Sequence, residues 1–201
     1  MKQLFACLLL STVLISCANN NTKRILVIAK GSADINTDSK TITFKDGAGT
    51  EEKTADFNSN DKLSLKLKKE SGESTVEIAE KGLYILNGKN DTIVGSFQKY
   101  GAPKSTYDTI KQEVIKKGID SLELLIEGKN VSAANRNYYI LPNQAVKISD
   151  NIDATIIAPY HQMTSIEKTG DKEPEVYRFY SVKEVRETIA KLKVLSTPIK
   201  K

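Results

Sequence analysis

The chain has no tryptophan, one histidine and two cysteines among its 201 residues. A Ser-His-Asp or Cys-His catalytic arrangement needs a histidine base. His161 is the sole candidate, and no Gly-x-Ser-x-Gly accompanies it. It is expected to be an exposed or strand-edge imidazole. A zinc site needs several histidine or cysteine ligands, and the composition does not supply them. Asp-x-Asp calcium loops and glycine-rich phosphate loops are missing too, so no metal and no cofactor is expected. Arginine is scarce: Arg24, Arg136, Arg178 and Arg186 stand against lysines spread along the whole chain. Nucleic-acid contact normally uses clustered Arg and Lys. The formal charge of +5 forms no dense stripe, and no nucleic-acid partner is expected.

What is present begins with length. A chain of 22.2 kDa folds as one domain or two small ones and buries roughly 70% of its surface. The hydrophobic fraction of 39% is polar for a globular chain but above that of a disordered one.

Met1-Lys2-Gln3 is followed by an uncharged, mostly aliphatic run from Leu4 to Ile15. A helix of that length rises about 18 Å, against a hydrocarbon core of about 30 Å. A charged start before a short apolar run is the layout of a secretory signal, and a buried N-terminal helix is the alternative. The run ends in Leu14-Ile15-Ser16-Cys17, which resembles the lipobox of bacterial lipoproteins. That resemblance implies a signal peptide over residues 1–16 and cleavage between Ser16 and Cys17. It implies a diacylglyceryl thioether on Cys17, whose freed amine is usually acylated as well. Cys7 would leave with the signal, so the mature chain would carry no free thiol and no disulfide. Two or three acyl chains on one residue make an anchor that does not let go, whereas one chain binds reversibly. No second long apolar run follows, so lipid would be the membrane attachment.

Residues 17–23 read as the lipidated cysteine and a short tether, Asn19 to Thr22. Ala18 stands where many enterobacterial lipoproteins carry an inner-membrane Asp. The Lys-, Asn- and Ile-rich composition is similar to that of the Bacteroidetes, whose surface lipoproteins carry an acidic cluster after the Cys. Here the first charges are Lys23 and Arg24. The resemblance therefore implies an outer-membrane lipoprotein facing the periplasm.

Residues 24–100 read as β-rich. Arg24 to Ala29 and Lys40 to Phe44 are strand candidates, and Asp46-Gly47-Ala48-Gly49 is a turn signal. Leu63, Leu65 and Leu67 alternate with Ser and Lys, as on a strand with one buried face. With Ser74 to Ala79 they predict a hairpin around Ser71-Gly72. Gly82 to Leu86 and Thr92 to Phe97 predict a second hairpin. Together these favour a small, mostly antiparallel sandwich or barrel.

Residues 101–195 read as α+β. Ser105 with Asp108 suggests a helix start, Ile110, Val114 and Ile115 one face, and Lys116-Lys117-Gly118 a stop. Ile119 to Ile126 is expected as a strand, because Leu122, Leu124 and Ile126 alternate. Tyr138 to Leu141 and Ala145 to Ile148 predict a hairpin; Ala154 to Ile157 and Val176 to Tyr180 predict strands. Tyr84-Ile85-Leu86-Asn87-Gly88 and Tyr139-Ile140-Leu141-Pro142-Asn143 are alike by ordinary strand composition. Ser181-Val182-Lys183-Glu184 is a capping box, and Val185, Ile189 and Leu192 line a closing helix. Residues 196–201 form a tail. The expected class is α+β, with one mid-chain and one C-terminal helix packed on further strands.

The carboxylate pairs Glu51-Glu52, Glu70 with Glu73, and Glu173 with Glu175 lie in lysine-rich, turn-like stretches and read as solvated surface. Asp91-Thr92-Ile93, Asp108-Thr109-Ile110 and Asp120-Ser121-Leu122 resemble the Asp-Ser/Thr-aliphatic acceptor of Bacteroidetes O-glycosylation, which would modify Thr92, Thr109 or Ser121. An anchor without a reactive constellation favours a non-enzymatic envelope lipoprotein that binds a partner protein or a wall or membrane component. An accessory subunit of an envelope-spanning secretion or assembly machine is one form of it. Two alternatives stand beside it: an enzyme assembled from Tyr138, Tyr139, Tyr160, Tyr177 or Tyr180 with nearby acids, and a small-ligand carrier.

Overall fold

The computed structural model describes residues 21–99, 112–132, 134–162, 166 and 173–196. The signal peptide, Cys17, the Ser105–Asp108 helix start, Thr109 and the tail beyond Ser196 lie outside the described residues.

Two sheets and two helices make up the described chain, and the α+β class with a mid-chain and a C-terminal helix holds. The first sheet has six strands in the order β4-β3-β2-β1-β5-β8: β1 (Thr22–Asn36), β2 (Thr41–Asn58), β3 (Leu63–Lys69), β4 (Gly72–Ile78), β5 (Gly82–Asn87) and β8 (Ala145–Ser149). It curls into a nearly closed barrel, with β4 brought alongside β8. The second sheet has four strands in the order β7-β6-β10-β9: β6 (Ile93–Gln98), β7 (Asn137–Ile140), β9 (Thr155–Ile157) and β10 (Val176–Ser181). Helices α1 (Gln112–Ile126) and α2 (Val182–Ser196) pack on each other and on the second sheet.

The period-two rows decide the layers. Leu63, Leu65 and Leu67 are 1% exposed or less and fill the barrel with Ile25, Val27, Ile42 and Phe44. Burial of such a side chain is worth about 1.5–3 kcal/mol. Strand β1 is buried on both faces. Leu26 and Ile28 point away from the barrel interior and meet Ile93, Ile140, Tyr177 and Phe179 of the second sheet. The far face of that sheet carries Val94, Tyr139 and Tyr180 against Ile119, Leu125, Val185 and Ile189 of the helices.

Several local expectations change. Asp46 to Gly49 does not end a strand: β2 runs through it, and these residues bulge out opposite Gly31, where the register of β1 shifts between Lys30 and Ser32. Gly31 sits at φ +82°, and a Cβ there would lie 2.3 Å from the Lys45 carbonyl oxygen. The first sheet is mostly antiparallel, as expected, with two parallel pairings, β1 with β5 and β2 with β3. The β3–β4 hairpin forms as expected, with Leu65 opposite Val76. The other two hairpins do not. After β5 the chain leaves the barrel, and β6 joins the second sheet beside β7 and β10; after β7 it returns, and β8 pairs with β5. The expected turn residues do turn the chain, but each turn changes sheets.

Ile119 to Ile126 is helix, not strand, and Gly118 lies inside α1. Ile115, Ile119, Leu122 and Ile126 fall on one face at helical spacing, and that row outweighs the local alternation. The helix ends at Gly128 (φ +69°), whose amide donates to the Leu125 carbonyl while Lys129 donates to that of Leu124, a Schellman ending. The second helix starts as expected. The Ser181 amide donates to Glu184 Oε2 at 2.7 Å, and the Glu184 amide donates to Ser181 Oγ at 3.2 Å.

Candidate functional site

An open cleft of about 650 Å³ lies where the end of β8 meets the starts of β7 and β10, lined by Arg136, Tyr138, Lys147, Ser149, Asn151, Glu175 and Tyr177 among others. Alternation places these groups. Arg136 precedes β7 and Tyr138 lies two residues on; Glu175 precedes β10 and Tyr177 lies two residues on. On a strand, i and i+2 share a face, so each charge is delivered beside its aromatic ring.

The Glu175 carboxylate is the hub. Its Oε1 accepts from Arg136 Nη2 at 2.6 Å, from the Tyr177 hydroxyl at 2.6 Å and from Ser149 Oγ at 2.9 Å, and its Oε2 accepts from Asn151 Nδ2 at 3.2 Å. The Arg136 guanidinium lies 3.6 Å above the Phe97 ring, a cation–π stack that fixes its plane. Tyr177 meets Phe97 and Tyr138 edge-on, with ring centroids 5.7 and 5.8 Å apart. The Tyr138 hydroxyl donates to the Ile148 carbonyl at 2.7 Å. At the rim, Lys147 pairs with Glu80 at 2.6 Å and Asp150 at 2.8 Å.

The electrostatics follow from the contacts. Burial works to raise the Glu175 carboxyl, but hydrogen bonds from Tyr177, Ser149 and Asn151, with the Arg136 charge, outweigh it and hold the group below the usual carboxylate range. Burial pushes the Tyr138 phenol up, with further contributions from Tyr177. Burial and the hydrogen bond to Glu175 push the Tyr177 phenol up. A saturated carboxylate is a weak base, and phenols shifted upward are weak acids near neutral pH. The cluster braces β7, β8 and β10 into a rigid polar wall.

Of the five tyrosines considered from the sequence, the cleft gathers Tyr138 and Tyr177 with Glu175. Tyr139 and Tyr180 lie on the opposite face of the second sheet, under the helices. Tyr160 is 57% exposed and accepts a hydrogen bond from Ser181 Oγ. His161 is exposed and pairs with Glu52 at 2.9 Å. Glu51 accepts from the Ala33 amide at 2.7 Å and pairs with Lys53. Glu70, Glu73 and Glu173 are exposed. Glu175 departs from the expected solvated pair: the guanidinium, hydroxyl and amide donors brought to it by β7, β8 and β10 engage both of its oxygens and leave it half-buried. Thr92 is half-buried just before β6, and Ser121 is exposed on α1 with its hydroxyl donating to the Lys117 carbonyl. Arg136, Ser149 and Asn151 join the site only in the fold. The available signal was the repeated charge-x-tyrosine spacing of Arg136-Asn137-Tyr138 and Glu175-Val176-Tyr177.

No protein-family model, curated protein or solved structure matches this chain. Among the described residues no helix is long and apolar enough to cross a membrane.

Proposed function

We propose that the chain is a lipid-anchored protein of the bacterial cell envelope, held at the periplasmic face of the outer membrane through Cys17, and that its folded part works by binding rather than by catalysis. The observation that carries this reading is Leu14-Ile15-Ser16-Cys17 placed directly after an uncharged apolar run. Strand β1 begins at Thr22. An extended chain spans at most about 3.6 Å per residue, so the start of β1 would be held within roughly 18 Å of the lipid. The Lys23 side chain, 1% exposed, plugs that end of the barrel by donating to the carbonyls of Ser59 at 2.6 Å and Asp61 at 3.1 Å. The saturated Glu175 cluster supports a binding role, because its groups are engaged with one another instead of being poised for proton transfer.

Intact-mass analysis of the full-length protein, expressed in a host with a lipoprotein pathway, tests the anchor. The expected mass lacks residues 1–16 and carries diacylglyceryl and acyl groups. The expected Cys17→Ser variant leaves the membrane fraction. An intact Met1 terminus, or a Cys17→Ser variant that still sediments with membranes as the parent does, overturns the reading.

The second reading, an enzyme, would rest on the gathering of Tyr138 and Tyr177 with Glu175 in one cleft. Turnover of an envelope substrate that Glu175→Gln abolishes, while the fold is kept, would establish it.

A further inference from the structure

A second cleft, of about 630 Å³, lies on the opposite flank of β1, between β2 and the chain that leads into β9. Its floor is apolar: Leu26, Leu83, Ile152, Ala154 and Ile156. Its walls carry Glu52, Thr54 and Asp56 from one face of β2 and Asp153 from the other side. Two bridges cross it. Arg24 binds both carboxylate oxygens of Asp56 at 2.8 Å and reaches Asp153 at 2.9 Å, and His161 meets Glu52 at 2.9 Å. Arg24 and Ile28, the residues opposite Asp56 and Glu52, are four positions apart on β1, so the bridges are about 13 Å apart along the strand. Three carboxylates thus face one guanidinium and one imidazole in a chain whose net charge is +5.

Among the described residues the same segment of β2 has an unused backbone edge. Thr50 to Asn58 pair with β1 on one side, whereas β3 meets β2 only at Thr41 to Thr43. Among the described residues no strand pairs with the other side of Thr50 to Asn58. An unpaired edge of this kind is a template for another chain. Lys53, the one lysine on it, is exposed on the face opposite to Glu52, Thr54 and Asp56, where its ammonium donates to the Ala33 carbonyl at 2.6 Å and pairs with Glu51.

We propose that this edge receives an extended, basic segment of a partner protein, which pairs with the backbone of β2 and places alternate lysine or arginine side chains over the acidic cleft. The alternation is what fits. Glu52, Thr54 and Asp56 share one face of β2, so an added strand presents every second side chain to them. An acidic segment would meet the same carboxylates as like charge. The inference rests on the binding role proposed for the folded part, and not on the anchor.

Fluorescence anisotropy of the purified full chain with three labelled peptides tests it: one alternating valine and lysine, one alternating valine and glutamate, and the valine–lysine peptide N-methylated at alternate residues on its pairing edge. The lysine peptide is expected to bind about tenfold or more tightly than the glutamate peptide, and the N-methylated peptide to lose binding. A Glu52→Gln/Asp153→Asn double variant with unchanged thermal unfolding is expected to weaken the lysine peptide about tenfold. Equal binding of the lysine and glutamate peptides, no binding of the lysine peptide up to millimolar concentration, or full binding by the N-methylated peptide or the double variant overturns it. A Cys17→Ser chain is expected to bind the lysine peptide as the parent does, so failure of the anchor and failure of this site read out separately.

Discussion

The Asn143 amide donates to the Asn87 carbonyl at 2.8 Å, joining the two turns at which the chain changes sheets. The Asn87 side chain completes the junction. It is fully buried; its amide donates to the carbonyls of Asp91 at 2.9 Å and Ile140 at 3.0 Å, and its Oδ1 accepts from the Lys89 amide at 3.0 Å. Removing it strands the Ile140 carbonyl and the Lys89 amide away from water, at about 1–3 kcal/mol for each group left unmade. Asn87→Ala is expected to destabilise the fold by about 3 kcal/mol. Urea unfolding would show a lower midpoint at unchanged slope.

Glu184 serves two amides with its two oxygens. Oε2 accepts from Ser181, closing the capping box, and Oε1 accepts from Tyr160 at 2.7 Å, tying the chain after β9 to the start of α2. Glutamine has one acceptor oxygen, so Glu184→Gln must turn an amide donor toward one of these N–H groups. Ser181→Ala is expected to cost about 1 kcal/mol, and Glu184→Gln at least as much. Amide hydrogen exchange at Tyr160 checks the second contact directly: Glu184→Gln should speed it more than Ser181→Ala, which removes the Ser181 Oγ donor to the Tyr160 hydroxyl but leaves Glu184 Oε1 on the Tyr160 amide.

Gly118 is a helix-interior residue with nothing within 4 Å of the position its Cβ would take. Glycine there lowers helix stability by about 1 kcal/mol relative to alanine. Gly118→Ala is therefore expected to raise stability by up to about 1 kcal/mol, read as a higher unfolding midpoint. Had Lys116-Lys117-Gly118 ended the helix, the same change would destabilise.

That residue marks where the sequence stops being legible. Signals confined to a few neighbouring positions survive into the structure: the Leu63-Leu65-Leu67 row, the hairpin around Ser71-Gly72 and the Ser181–Glu184 box each form as expected. Lys116-Lys117-Gly118 looks like a helix stop, and packing of Leu122, Leu125 and Ile126 against α2 and the second sheet carries the helix past it. The turns after Asn87 and Ile140 announce a change of direction but not the sheet that the next strand joins, because that choice depends on partners 50 or more residues away, such as Leu86 with Ala145. The Glu175 hub suffers most. Arg136, Ser149 and Tyr177 approach it from three strands, so no short window of sequence contains the site.

The same hub makes the fold sensitive to acid. The Glu175 carboxyl is held below its ordinary range in the folded state, so the unfolded chain binds its proton first as the pH falls. Its contribution is complete above the ordinary carboxylate range and is lost as the pH drops through the depressed folded value. Over that window each differential proton changes stability by about 1.4 kcal/mol per pH unit. Glu175→Gln removes the titration. The variant should be less stable than the parent at neutral pH, since an amide cannot accept from the Arg136, Tyr177, Ser149 and Asn151 donors together. It should also lose stability more shallowly with acid, so the two curves converge at low pH. Urea unfolding from neutral pH down to the acid limit measures both, and Asp56→Asn is the comparison. The Arg24 hydrogen bond depresses Asp56 in the same direction, so each variant should remove only its own part of the acid slope. If Glu175→Gln kept the parent's slope, the carboxylate would not be the charged acceptor that binds Arg136 and Tyr177 together.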